Sequence, residues 1–237
     1  MADEHLEPRA SRRVPVQIRD AYAPPTDETR EHERHETLVT LISWSLLLQA
    51  IVLASNGLIC LLLALHVKSR SLASQLVSVS QTLADLHSLL FMAGIVPFAI
   101  FLVRANKTAR AFVQHDEFAS YAPVLQFTPS SMWWWFCVPI LNLIKPYDAV
   151  CAVWSASRPR TRDAHVHDYG ILRAWFSTWI AYWLISQLNS YIAYEVSVVT
   201  RDLLIVAKSS LGVLACFYAV RMVRALAKRQ RLRAQEV

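Results

Sequence analysis

The segment Leu38–Val67 is 30 residues long and contains no charged side chain. A helix needs about 20 apolar residues to cross the roughly 30 Å of hydrocarbon in a lipid bilayer. The segment therefore predicts a membrane-spanning helix. The overall composition agrees, because 54% of the residues are hydrophobic and 18% are charged, which is too apolar for an ordinary soluble domain. We expect an integral membrane protein.

Four segments are long and apolar enough to be transmembrane helices. They lie at about residues 38–67, 81–103, 171–199 and 203–220. The predicted fold class is an all-α membrane protein, with four transmembrane helices in a bundle that occupies residues 37–227. The remaining residues predict a disordered acidic tail at 1–36, where prolines and mixed charges interrupt any apolar pattern, and a basic tail at 228–237.

A shorter apolar run lies between the second and third predicted spans. Met132–Ile144 has 13 residues and would be about 20 Å long as a helix, which is too short to cross the bilayer. Pro139 and Pro146 predict structural breaks, because proline lacks the backbone N–H that a helix uses. We expect residues 132–157 to form a re-entrant or interfacial helical segment. Its helical spacing places four residues on one face, toward lipid or the bundle: Tyr147, Val150, Cys151 and Trp154.

The basic residues are unevenly distributed with respect to these spans. With four spans, 20 Lys and Arg residues fall on one side of the membrane and 4 on the other. Loops rich in Lys and Arg stay on the cytoplasmic side, so we expect a multi-pass protein of the cell membrane with both termini in the cytoplasm. A fifth span at 132–157 would divide the basic regions between the two sides, which argues against it.

The middle of the chain carries specific residues in addition to apolar ones. They are Arg104-Ala105-Asn106, Phe127-x-Pro129, Trp135-Phe136-x-Val138-Pro139-Ile140-x-Asn142-Leu143-x-Lys145-Pro146-Tyr147 and Val153-Trp154-x-Ala156-Ser157. This pattern resembles the bacterial membrane-protein family called domain of unknown function 4328, over most of residues 38–230. Ile144 departs from the family pattern, in which a tryptophan is common at that position. The resemblance implies a multi-span membrane protein and brings no known activity, substrate or cofactor.

Basic and amide side chains of this pattern form a first candidate site. The candidate ligand-binding or lipid-binding residues are Arg104, Asn106, Asn142, Lys145, Tyr147 and Trp154. At the inner boundary of the bilayer they could hold the phosphate of an anionic headgroup, or a carboxylate, by charge-assisted hydrogen bonds. The alternative is structural, with the basic residues anchoring helix ends while the amides cap backbone groups that Pro139 and Pro146 leave free.

A stripe of aromatic and polar residues in the third predicted span is a second candidate. Its members are Trp175, Trp179, Tyr182, Ser186 and Asn189. The stripe could line a cavity for a small apolar or aromatic ligand, although interhelical packing with hydrogen-bonded Ser and Asn explains the same pattern. Near the outer side, Asp85 could pair with Lys208.

Other classes of function find less support. The chain has no Gly-rich phosphate loop or nucleophile elbow, so no catalytic residue and no cofactor are predicted, and His165, His167 and Asp168 are too few to predict a metal site. Nucleic-acid binding is not expected, because the basic residues flank apolar segments. We hypothesise a non-enzymatic module that binds anionic lipid or a partner protein, including a second copy, at the inner leaflet. A small-solute or ion channel or transporter is the alternative, and a membrane-embedded enzyme ranks last.

Overall fold

We describe the protein from a computed structural model, which covers residues 26–66, 70–114, 128, 141–159, 169–192 and 195–236. All regular secondary structure in these ranges is helical, which confirms the predicted all-α class for this part of the chain. The helices are α1 (Thr26–His66), α2 (Arg70–Gln114), α3 (Leu141–Ala156), α4 (Gly170–Ile192) and α5 (Val198–Ala234). The described residues from 37 onward form one compact unit.

Three of the described helices are long and apolar enough to cross a membrane. These spans are His35–Leu65 in α1, Ser71–Val113 in α2 and Val198–Ala234 in α5. α4 has 23 residues, about 34 Å, so its length would also suffice. Its most apolar stretch has a lower mean hydropathy than those of the other three helices, because tryptophan, tyrosine, serine and amide residues are frequent along it. α3 has 16 residues and, at about 24 Å, is too short to cross.

The first helix begins inside the segment for which the sequence predicted disorder. α1 starts at Thr26, so residues 26–36 are helical, whereas residues 1–25 lie outside the described part of the chain. The sequence offers a physical reason, because Asp27 and Glu28 stand in the first turn. Negative charge at that position interacts favourably with the helix dipole.

The end of α4 and the start of α5 also differ from the predicted boundaries. α4 ends at Ile192, where the sequence predicted a span to residue 199, and a turn follows at 195–196. Ser197 caps α5, since its hydroxyl accepts a hydrogen bond from the backbone N–H of Thr200 at 3.2 Å. α5 then continues without interruption to Ala234, through most of the predicted basic tail.

Two helices continue through proline residues. α2 contains Pro97, and α3 runs from Leu141 through Pro146, so Pro146 is not the helix boundary that the sequence predicted. Each internal proline removes one backbone hydrogen bond, a loss that packing against neighbouring helices can offset. Pro139 and the rest of 132–140 lie outside the described residues, as do His165, His167 and Asp168. The re-entrant or interfacial path of 132–157 therefore stays a prediction.

α1 packs closely against α2 and α5 through small and polar residues. A Cβ atom added to Gly94 of α2 would lie 2.7 Å from Nε2 of Gln49 in α1, and one added to Gly57 of α1 would lie 3.0 Å from Cβ of Ser209 in α5. Gln49 Nε2 also donates a hydrogen bond to the carbonyl oxygen of Leu90 at 3.2 Å. Helices in membranes commonly associate through small residues and interhelical hydrogen bonds of this kind.

The apolar core lies around α3. It joins the C-terminal parts of α2 and α5 with the N-terminal part of α4. Its fully buried side chains include Phe101, Leu102, Val150, Val153, Leu172, Met222, Val223 and Leu226. The apolar face of α3 therefore packs within the bundle.

Candidate functional site

Polar side chains are buried within the core around α3. Four of them, Asn106, Trp154, Ser157 and Gln230, are each at most 5% exposed and are called the buried polar cluster below. Gln230 Nε2 of α5 donates hydrogen bonds to the carbonyl oxygen of Ala105 in α2 at 2.8 Å and to the hydroxyl oxygen of Ser157 at 3.1 Å. One side-chain amide thereby connects α5 to α2 and to the turn that follows α3.

Three members of the buried polar cluster have polar atoms without a hydrogen-bond partner. In the described part of the protein, neither amide atom of Asn106 is bonded, and the same holds for Trp154 Nε1 and Gln230 Oε1. A buried polar group costs free energy when it is left unpaired. These atoms include both donors and acceptors, so they are suited to an ordered water or to a polar group of a ligand.

Trp154 of α3 contacts Arg229 of α5. The guanidinium carbon of Arg229 lies 4.1 Å from the centre of the indole ring, and its Nη1 donates to the carbonyl oxygen of Trp154 at 3.5 Å. A guanidinium at this distance over a tryptophan face makes an attractive cation–π interaction. The end of α3 is therefore attached to α5 at Trp154 and again at Ser157.

The other half of α3 contacts α4. Tyr147 stacks on Phe176 with ring centres 4.4 Å apart. Burial raises the pKa of Tyr147, and it also raises the pKa of the Cys151 thiol one turn later, because both charged forms would lose solvation. Val150 and Trp154 are fully buried, so the predicted face of this helix is turned toward the bundle.

The structure separates the members of the first candidate site. Arg104 and Lys145 have exposed side chains, whereas Asn106 is 0% exposed. Arg104 and Asn106 are two positions apart on α2, which places them about 200° apart around the helix. The side chain of Asn142 lies outside the described part of the structure. The exposed cations and the buried amide therefore occupy different environments.

Exposed basic residues are distributed over the parts of α2, α3, α4 and α5 that meet at this end of the bundle. These residues, called the basic rim below, are Arg104, Lys107, Lys145, Arg173, Arg221, Arg224, Lys228 and Arg231. Within the described part of the chain, no carboxylate forms an ion pair with Arg104, Lys145 or Lys228. At these three positions the rim presents positive charge that no carboxylate of the described residues pairs with.

The aromatic stripe of α4 lines a cavity of about 110 Å³ among α1, α2, α4 and α5. Trp175, Trp179 and Tyr182 line it, while Ser186 and Asn189 are not among its lining residues. Two polar residues from other helices, Gln49 of α1 and His87 of α2, complete the lining. A ligand cavity is one of the two explanations that the sequence offers for the aromatic stripe. The sequence does not indicate that Gln49 and His87 contribute to this cavity.

Asp85 and Lys208 do not form the predicted pair. Asp85 is exposed, and its Oδ1 accepts a hydrogen bond from Gln81 Nε2 at 3.2 Å. Lys208 Nζ instead lies 5.7 Å from the centre of the Tyr182 ring. Residues 81 and 85 are one turn apart on α2, so a local partner is available to Asp85 without crossing the bundle. Lys208 thus belongs to the surroundings of the cavity.

Gln230 is a connecting residue that sequence reasoning missed. The sequence carries one signal, because Gln230 follows Val223 and Leu226 at intervals of three and four residues and so continues their apolar face of the helix. The burial of all three side chains, and the partners of Gln230, come from the structure.

No curated protein and no solved structure matches this chain. One family model, described as domain of unknown function (DUF4328), matches residues 63–228, which is more than half of the chain. The match contains α2, α3 and α4 and most of α5, whereas most of α1 precedes it. The matched range is narrower than the range of about 38–230 over which the sequence resembles the family. The predicted family itself is confirmed. The chain belongs to the DUF4328 family.

Proposed function

We propose that this protein is a non-enzymatic, multi-pass protein of the cell membrane that binds anionic lipid headgroups on its cytoplasmic side through the basic rim. In this proposal α1, α2, α4 and α5 span the membrane and both termini are cytoplasmic. α3 then lies at the inner leaflet, where the cytoplasmic ends of the spans meet.

The packing of α4 supports its inclusion as a fourth span. α4 lies against α5, and the short connection 193–197 requires the two helices to run in opposite directions. Because α5 has the apolarity of a membrane span, a helix that lies antiparallel along it is also expected at membrane depth. An even number of spans then returns both termini to one side, in agreement with the distribution of basic residues.

The observation that carries the binding proposal is the exposed positive charge of two members of the basic rim. Arg104 and Lys145 are exposed and form no ion pair within the described part of the chain. A Lys or Arg close to an anionic membrane surface contributes about 1 kcal/mol of attraction. Several such residues around one end of the bundle would select phosphatidylglycerol over a zwitterionic lipid.

Lipid selection tests the proposal directly. The purified protein is reconstituted with phosphatidylglycerol and phosphatidylcholine in equal amounts, and the lipids that remain bound after detergent exchange are measured by mass spectrometry. We expect enrichment of phosphatidylglycerol in the wild type and its loss in Arg104→Ala/Lys145→Ala. The matched control, Lys68→Ala/Arg70→Ala, removes the same charge, at the first residue of α2 and two positions before it in the sequence. Equal retention in both double variants would refute the basic rim as the binding surface.

A further inference from the structure

One wall of the cavity consists of stacked aromatic rings. Phe91 and Trp179 have ring centres 5.6 Å apart and planes inclined by 16°, and Trp179 stacks on Tyr182 at 6.1 Å and 24°. The rest of the lining includes further aromatic rings, such as that of Trp175, and the small residues Ala215 and Ala219 of α5. Flat aromatic surfaces favour a ligand that is itself flat and can stack against them.

A cation adjoins this wall. Lys208 Nζ is 5.7 Å from the centre of the Tyr182 ring, and the ring of His87, which lines the cavity, is 6.3 Å from the same ring. Lys208 lies about 15 Å along α5 from Val198, well inside a helix that can span the membrane. Its side chain is partly buried, and no carboxylate pairs with it in the described part of the chain. Charges at membrane depth are costly and commonly mark binding sites or transport pathways.

We propose that the cavity binds a small aromatic carboxylate, with its ring beside Trp179 and its carboxylate directed toward Lys208. A cavity of about 150 Å³ in an apolar protein core holds benzene, so a partly enclosed cavity of about 110 Å³ suits one six-membered ring whose polar group projects from it. The carboxylate supplies the counter-charge that Lys208 lacks, through a charge-assisted hydrogen bond.

Two features favour this ligand over the acyl chain of a lipid. An acyl chain can fill apolar space, but it leaves Lys208 without a counter-charge. It also has no flat face to set against the rings of Trp179 and Tyr182. The proposal stands apart from the basic rim, because Lys208 is not one of its members.

The test uses two fluorinated probes that have nearly the same shape and opposite charge, 4-fluorobenzoate and 4-fluorobenzylamine. Binding to the full-length protein in phosphatidylcholine nanodiscs is followed by ¹⁹F NMR. Lys208→Met removes the charge and keeps a long unbranched side chain. Lys228→Met makes the same change at an exposed position of the same helix. We expect 4-fluorobenzoate to bind the wild type and Lys228→Met equally, and Lys208→Met at least tenfold more weakly.

A second variant tests the location independently of charge. Ala215→Leu places a larger side chain in the cavity and should abolish binding of 4-fluorobenzoate, while thermal unfolding reports whether this variant folds. If it does not fold, the comparison of Lys208→Met with Lys228→Met decides alone. The proposal is overturned if 4-fluorobenzoate shows no saturable binding, or if it binds Lys208→Met as tightly as the wild type. It is also overturned if 4-fluorobenzylamine binds the wild type as tightly as 4-fluorobenzoate does.

Discussion

Replacing Gly94 by alanine should disturb a hydrogen bond that lies between α1 and α2. The new Cβ would stand 2.7 Å from Gln49 Nε2 and 3.0 Å from Ser45 Oγ. To regain an ordinary contact of 3.4 Å, the Gln49 amide must move by about 0.7 Å. Its bond to the carbonyl oxygen of Leu90 is already 3.2 Å long, so a shift of that size breaks it.

The magnitude follows from two opposing effects. Alanine is favoured over glycine inside a helix by about 1 kcal/mol. Leaving a buried amide such as that of Gln49 without its partner costs about 1–3 kcal/mol. In a Gln49→Ala background the amide is absent, so the gain in helix propensity and the contact with Ser45 Oγ remain. The effect of Gly94→Ala on the free energy of unfolding should therefore differ between the two backgrounds by about 1–3 kcal/mol.

Unfolding in mixed micelles of increasing SDS content can measure this difference. Cys60 and Cys216 are buried, so their reaction with a fluorogenic thiol reagent reports the loss of the fold. Gly170→Ala, at an exposed position at the start of α4, serves as the control and should change stability by no more than about 0.5 kcal/mol. If Gly94→Ala has the same effect with and without Gln49, the contact between Gly94 and Gln49 does not govern this interface and the reasoning fails.

Three further predictions concern α3 and the topology. Arg229→Met should destabilise the protein by about 1–2 kcal/mol, because the contact with Trp154 is lost. In a Trp154→Leu background the same substitution should destabilise the protein less. Equal losses of stability in the two backgrounds of this double-mutant cycle would count against the cation–π contact. Burial raises the pKa of the Cys151 thiol. In a variant with no other cysteine, the alkylation rate of the folded protein should therefore continue to rise with pH after the rate of the SDS-unfolded protein has levelled off. Identical dependence of the two rates on pH would contradict this. If the chain has four spans, a single cysteine introduced at Ser71 should react with an impermeant reagent in intact cells. A single cysteine at Gln235 should react only after permeabilisation. Labelling of both positions in intact cells would exclude an even number of spans.

The sequence predicts the helices well because length and apolarity are local properties. The segments that became α1, α2 and α5 could each be recognised without knowing their neighbours. The face of α3 could also be predicted, since the spacing of Val150 and Trp154 follows from helical geometry alone. Boundaries were less predictable, as the passage of α3 through Pro146 shows, because packing against neighbouring helices offsets the lost hydrogen bond.

The candidate sites depend on contacts between distant parts of the chain, and these could not be predicted. Gln230 bonds to Ala105 and Ser157, which lie 125 and 73 residues away, and nothing in the local sequence identifies such partners. Proximity in sequence was misleading for Arg104 and Asn106, because helical geometry turns them to different sides. The amide of Asn106 is buried while the guanidinium of Arg104 remains at the surface.

The short connection between α4 and α5 has a consequence for biogenesis. α4 leaves the ribosome first, and its Trp, Tyr, Gln and Asn side chains keep the mean hydropathy of its best stretch below that of the candidate spans, which makes its insertion into a bilayer on its own less favourable. If α4 is the fourth span proposed above, it can enter the bilayer together with α5 as a helical hairpin, in which α5 supplies the stretch of higher mean hydropathy. A chain truncated after Ile192 should therefore leave α4 accessible to protease, whereas the complete hairpin should protect it.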